Sequence, residues 1–328
     1  MFIGFSIKTP GSISVNFSTT IITMPNLQAI TRETFQHKRF KPVTDYKFTA
    51  QETVAPLVVQ ELPKALLSLP IVFMPSADGF VLRALQGFEP GKNLLIAANG
   101  RWLGRYIPSA YRGYPFVLAE LAGDSGGKKV LCFDEDSGLL ETSTDVDGGI
   151  GGIGPVGKDG NKGNKGTKGN KVGVAKESEA FFKENGELGT TVAQTLNFLD
   201  QVDKNRLITQ NICAVLQRHA LLEPWPISVQ IEAGTSKVQG LYRIKELALG
   251  QLSSHALVEL RDTGALLAAY CQLLSMQQLS MLAEIAQAHA KVALMAKAQQ
   301  PTPPPASDLN LDFMSKGSAI NFDHLFKK

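Results

Sequence analysis

The sequence predicts an α+β fold, with short antiparallel sheets followed by packed helices in a single main domain that carries a Gly/Lys-rich loop insertion and flexible ends. Three observations predict it. Short apolar runs separated by turn residues occupy positions 71–134, which is the pattern of strands. Beyond residue 186 apolar residues recur three and four apart, which is the pattern of helices. A chain of 328 residues that is 44% hydrophobic and 19% charged can bury one large core or two modest ones. The main domain is expected at 35–147 and 172–299. An arm at 1–34 precedes it, an insertion at 148–171 interrupts it, and a Pro-rich linker with a tail follows at 300–328.

The elements follow in order. The first 23 residues are apolar and hydroxyl-rich, but Pro10 and Gly11 interrupt them and no basic segment leads them. No signal peptide is expected, which points to the cytoplasm; Met24 opens a more ordinary beginning. From Val54 the pattern VAPLVVQELPKALLSLP reads as a helix with Pro56 in its first turn and a break at Pro63, and Pro70 then starts a strand. Strands are expected at 71–74, 79–88 and 93–104 as a meander, and at 115–121 and 128–134 as a hairpin closed by AGDSGG. Val192, Leu196, Leu199 and Val202, then Ile208, Ile212, Val215 and Leu216, indicate two helices. A strand pair is expected at 227–232 and 237–246, followed by a helix over 245–262. The last element, 266–299, reads as one amphipathic helix of about nine turns. Its stripe is Leu267, Tyr270, Leu274, Met281, Ile285, Val292 and Met295, its first half is expected in the core, and its second half protrudes or pairs with another copy. In the tail, Leu309, Leu311, Phe313, Phe322, Leu325 and Phe326 fit a docking peptide and fit disorder equally.

Glycine recurs every third residue from Gly148 to Gly169, the spacing of a collagen triple helix, but Pro155 is the only imino acid in the run. Eight such triplets would form a rod of roughly 70 Å and drive the two flanks apart, so a basic loop is preferred to a trimerising rod. The run also contains Gly152, Gly154 and Gly157 at dinucleotide-fingerprint spacing, and Gly157-Lys158 close to a phosphate-loop motif. Neither has the preceding strand and following helix that aim amides at a phosphate, so both are consequences of periodic glycine. Five lysines against Asp159 make the run basic. The overall charge of +3 therefore leaves the remainder near neutral and gives no support for a nucleic-acid surface.

Catalytic and cofactor signatures are absent from the sequence. The five histidines lack metal-ligand spacing, no nucleophile elbow is present, and Asp134, Glu135 and Asp136 read as a solvated turn. No catalytic residue, cofactor or metal ligand is expected. Cys132, Cys213 and Cys271 each lie in an apolar run and read as buried free thiols. No stretch approaches the roughly 20 apolar residues of a membrane-spanning helix.

The most distinctive stretch is GRWLGRYIPSAYRGYPF, 100–116. Two readings fit it. One is a rigid elbow in which Pro108 and Pro115 fix the backbone and amphipathic Tyr and Arg cover apolar surface. The other is a ligand-binding patch made of Arg101, Trp102, Arg105, Tyr106, Tyr111, Arg112 and Tyr114, where guanidinium groups meet an anion and rings stack on a sugar or peptide. Glu61 and Glu120 are the acids expected to pair with one of these arginines, in a structural role.

This stretch, together with LPIVFMP, ALQGF, GKNLLI, LCFDEDSGLL, GELGTTVAQTLNFLD and VQGLYRIKE, resembles the bacterial SapC family over about residues 35–285. The family is named for a bacterial surface-layer locus, so the resemblance implies association with the cell surface and supplies no catalytic residues. The preferred function is a non-enzymatic binding or assembly protein of that surface. An enzyme using the patch at 101–116, and a virion or surface structural protein oligomerising through the glycine run, are the alternatives. The expected partners are a protein or a cell-surface glycan or peptide, with self-association through 275–299 or 148–171; nucleic acid is not expected.

Overall fold

The β-rich first half assembles around one hairpin. In the computed structural model, β5 (Ile71–Ser76) and β6 (Gly79–Leu85) pair antiparallel with Phe73 opposite Leu82. The structure describes residues 12–16, 26–120, 129–141, 178–231 and 234–298. The glycine run, the 121–128 connection and the tail after 298 lie outside the described residues, as do the expectations attached to them. The chain divides into two compact units, Met1–Ala286 and Gln287–Lys328. Of the second, only the end of the last helix is described.

In the first unit a five-stranded sheet has the order β11-β14-β5-β6-β4, using β4 (Val54–Pro56), β11 (Leu222–Pro224) and β14 (Tyr242–Ile244). A second sheet, β2-β8-β7, joins β2 (Leu27–Ala29) to the hairpin of β7 (Phe116–Glu120) and β8 (Lys129–Asp134). Two-residue strands β3 (Arg39–Phe40), β9 (Leu140–Glu141) and β10 (Glu179–Ala180) form a third. In the fourth, β1 (Ser12–Asn16) runs parallel to β13 (Gly234–Gln239), which pairs antiparallel with β12 (Ile227–Ile231). Every other ladder is antiparallel. The helices are α1 (Arg32–Phe35), α2 (Leu62–Ala65), α3 (Ser109–Arg112), α4 (Thr190–Arg218), α5 (Glu246–Gly250), α6 (Ser254–Thr263), α7 (Ala265–Ser275) and α8 (Gln278–Ala298). This is the expected α+β arrangement, antiparallel sheets followed by packed helices.

Two cores form, and both mix residues from either side of the glycine run. The larger holds Leu69, Ile71, Phe73 and Leu85 together with Ile212, Leu216 and Leu260. The smaller is aromatic: Phe35, Phe40, Phe116 and Phe133 surround Phe181, whose ring centroid lies 4.7 Å from Phe35, 4.9 Å from Phe40 and 5.1 Å from Phe133. Helix α4 serves both, burying Val192 in the aromatic core and Ile212, Val215 and Leu216 in the larger one. Its 29 residues span about 43 Å, enough to reach from one core to the other.

The structure departs from the expected elements at six places. Residues 54–56 are strand, not helix, because Val54, Ala55 and Pro56 pair with Leu85, Ala84 and Arg83. Pro56 is tolerated because β4 is an edge strand. Pro63 sits in the first turn of α2, where its missing N–H costs no helical bond. Residues 93–104 make one bridge, Ile96 with Trp102, because Gly100 (φ +85°) turns the chain back on itself. The two helices expected over 192–216 are one, since no Gly or Pro interrupts the segment. The helix expected over 245–262 breaks after Gly250, and Ser253 restarts it by accepting from Ala256 N–H. The nine-turn helix is broken between α7 and α8, and the first part of its stripe does not face inward: Leu267, Tyr270 and Leu274 are 53%, 51% and 57% exposed, whereas Ile285 on α8 packs against the larger core. The buried face of α7 is Ala265, Ala268, Ala269, Cys271, Gln272 and Ser275. Small residues allow a close approach there, and polar ones bond the sheet. Ser275 Oγ accepts from Ile71 N–H (2.9 Å), Gln272 Oε1 accepts from Ile244 N–H (2.9 Å), and Gln272 Nε2 donates to Ile71 O (3.3 Å). The three cysteines are buried and free, as expected.

Candidate functional site

The arginine-aromatic run is fixed at one point by Ser68, which is buried and whose Oγ accepts from Arg105 N–H (3.0 Å) and Tyr106 N–H (3.3 Å). From there its side chains diverge. Trp102 and Tyr111 turn toward the larger core, 5.9 Å apart ring to ring, with Trp102 Nε1 donating to Tyr106 O and Tyr111 Oη donating to buried Gln86 Oε1 (2.8 Å). Tyr114 stacks on Phe48 at 3.9 Å and precedes a cis peptide to Pro115. Arg101 and Arg105 point to solvent, with no side-chain hydrogen bond or ion pair among the described residues. Of the seven expected residues, Tyr106 and Arg112 converge on one cavity.

That convergence is organised by Glu61, which is 5% exposed. It ends a 3₁₀ turn, Val59–Glu61, and reaches back so that Oε1 accepts from Val58 N–H (3.0 Å), the capping arrangement of a helix start. Its Oε2 accepts from Tyr106 Oη (2.8 Å) and from Ser109 N–H (2.8 Å), an otherwise unbonded donor in the first turn of α3. Arg112 Nη2 donates to Tyr106 Oη (3.2 Å) and lies 3.8 Å from Glu61 Oε2. Burial first, then the charge of Glu61, pushes the Tyr106 phenol well above the usual tyrosine range, so it stays protonated and donates. A chain of donors therefore runs from Arg112 through Tyr106 to Glu61. Of the two acids expected to meet an arginine of the run, Glu61 does so; Glu120 makes no ion pair among the described residues.

Helix α4 supplies the facing wall. Phe198 places its ring 5.0 Å from the Arg112 guanidinium carbon, which lies 5.8 Å from the Tyr106 ring. Gln201 and Asn205 continue the same helical face, and Lys64 on α2 closes the rim. The cavity is open to one side and measures ≈ 200 Å³. It has cations at its rim, rings around the Arg112 guanidinium and amides along one wall, a set suited to holding an anionic group in place. Sequence reasoning missed Lys64, Phe198, Gln201 and Asn205. The three, four and seven spacing of the last three on one helix was visible, but the helix's rotation toward the run was not.

A groove of ≈ 690 Å³ elsewhere, between β7, β8 and α4, contains Glu120 and the Lys129–Asp203 ion pair. Among the described residues no group of three or more His, Cys, Asp or Glu is placed to hold a metal ion. No helix among them is long and apolar enough to cross a membrane.

The SapC family model matches residues 30–147 and 168–282, most of the chain. The chain belongs to the SapC family. The break in the SapC match, 148–167, falls within the glycine-lysine run, and the cavity-forming residues Glu61, Tyr106, Arg112 and Asn205 all lie inside the matched segments. Compared with curated proteins and with solved structures, the chain has no match.

Proposed function

We propose that this SapC-family chain is a non-enzymatic binding or assembly protein of the bacterial cell surface, and that it recognises its partner through the cleft under Arg112 and Tyr106. The observation that carries the reading is the state of Glu61. A general base must reach the proton that it takes. Glu61 is instead turned inward at 4% side-chain exposure and accepts from two backbone N–H groups and a tyrosine hydroxyl, so the acid holds the cleft together. The groups left facing outward, Arg112, Lys64 and Gln201, are groups that bind. The surface association rests on what the SapC resemblance implies.

The test is binding of a purified bacterial envelope fraction to the immobilised full chain. Wild type and Arg105→Ala are expected to bind alike, and Arg112→Glu to lose binding while keeping its melting temperature within a few degrees. Envelope binding that ignores Arg112→Glu, or no binding by wild type, would overturn the reading.

A further inference from the structure

Asn205 is 3% exposed on α4 and lines the cavity just described. Its Nδ2 lies 2.7 Å from Gln201 O. A carbonyl oxygen accepts only, so this contact identifies the NH₂ end of the amide and makes the other atom an oxygen. That oxygen, Oδ1, is buried and receives no hydrogen bond. Buried polar atoms are nearly always paired, and one that is not calls for a missing donor.

The rest of the cavity supplies the other half of the requirement. Arg112 is 44% exposed in its side chain and commits only Nη2 to Tyr106, leaving further N–H donors of its five. Lys64 has no acid within ion-pair distance among the described residues. Glu61, the one acid in the lining, is turned inward, 4% exposed in its side chain, with both oxygens bonded. The local balance is two cations against one carboxylate that is already satisfied. At ≈ 200 Å³ the cavity is smaller than the ~300–1,000 Å³ of pockets for drug-sized molecules.

We infer that the cleft takes a small carboxylate that carries a hydrogen-bond donor beside it: the anion meets Arg112 and Lys64, and the donor meets Asn205 Oδ1. A free peptide C-terminus has this chemistry, with its last amide N–H as donor, and so does a sugar acid, with a ring hydroxyl. The inference rests on the cleft being the recognition site proposed above.

Calorimetric titration of the full chain tests it with N-acetyl-Ala-Ala for the peptide source and glucuronate for the sugar source. One of the two is expected to bind. Replacing the ligand carboxylate by its amide is expected to weaken binding roughly tenfold or more, the scale of a charge-assisted pair. Asn205→Leu removes the unpaired oxygen, so it is expected to raise the melting temperature while weakening binding about tenfold. A purely structural asparagine would not separate those two readouts. If Asn205→Leu does not fold, N-acetyl-Ala-lactate, which lacks only the last amide N–H, makes the same deletion from the ligand side for a peptide source. The 4-deoxy form of glucuronate, which lacks the hydroxyl beside the carboxylate, does so for a sugar source. Failure of both carboxylates at millimolar concentration, equal affinity for acid and amide, or indifference to loss of the donor would overturn the inference. If envelope binding still depends on Arg112 in that case, the recognition site stands and only the ligand class is wrong.

Discussion

Glu61→Ala is the perturbation whose cost the structure sets most directly. The carboxylate is the sole acceptor for two buried backbone donors, Val58 N–H at 3.0 Å and Ser109 N–H at 2.8 Å. Each buried donor left without a partner costs about 1–3 kcal/mol, so the pair costs about 2–6 kcal/mol. Removing a buried charge returns part of its desolvation penalty, which places the expected loss near 3 kcal/mol. The Tyr106 hydroxyl adds little, because it is half-buried and can turn to solvent. Glu61→Gln separates the contributions. Its amide has one oxygen for two sides, and the tyrosine hydroxyl can turn to accept from the NH₂ end whereas a backbone N–H cannot. One donor is therefore left facing a donor, at about 1–3 kcal/mol. Urea unfolding at constant m-value measures both, and hydrogen exchange at Val58 and Ser109 locates the effect. A loss under about 1 kcal/mol for Glu61→Ala, or unchanged exchange at those two amides, would refute the assignment of Glu61 as the tie between the 58–61 turn and α3.

Four further outcomes are expected. Phe181→Ala should cost about 3–5 kcal/mol in urea unfolding, because its fully buried ring touches four other phenylalanines; a loss below about 1 kcal/mol would mean that the aromatic core is not formed as described. Gly189→Ala should cost about 1–3 kcal/mol, since a Cβ there would stand 2.4 Å from the backbone oxygen of Ala180, and an unmoved midpoint would contradict that approach. Burial pushes the Cys213 thiol up to about 12, and burial also raises Cys132 and Cys271, so iodoacetamide at neutral pH should label none of the three until urea unfolds the chain. The hydrogen bond from Lys129 holds the Asp203 carboxyl below its ordinary 3.8, so this pair stabilises the fold above that value and the contribution fades as pH falls through the lower folded value. Lys129→Met should accordingly flatten the acid limb of the stability curve, and an unchanged limb would show the pair to be inert.

The strands that were legible in the sequence are those whose pattern is carried locally. Ile71–Ser76, Gly79–Leu85, Phe116–Glu120 and Lys129–Asp134 each alternate or run apolar between turn residues, and each lies where expected. What was not legible depends on a distant partner. Val54–Pro56 is a strand only because Leu85–Arg83 offers a free edge, and the same letters in isolation scan as the first turn of a helix. Two-residue strands such as Arg39–Phe40 contain no period at all. In α7 the rule that apolar stripes face inward fails for a specific reason: Gln272 and Ser275 are held inside by the backbone groups of Ile71 and Ile244, and the leucines on the far side are left in solvent.

The same distinction explains the arginine-aromatic run, for which an elbow and a binding patch were competing readings. In the structure, different residues of the one segment face the core and the cleft. Tyr111 and Arg112 are neighbours on a single helical turn, so their side chains leave the axis about 100° apart. That rotation sends Tyr111 to Gln86 in the core and Arg112 to the cleft beside Phe198. A rigid elbow would serve the proposed patch: with Trp102, Tyr111 and Ser68 fixing the backbone, Tyr106 and Arg112 are ordered before any ligand arrives, and the entropy of positioning them is spent in folding and not in binding. Residue type proposed Tyr106 and Arg112, with five others, as binding groups, and the structure places these two in one cleft. Their selection from among seven was decided by Glu61 and α4, two elements whose approach no local pattern records.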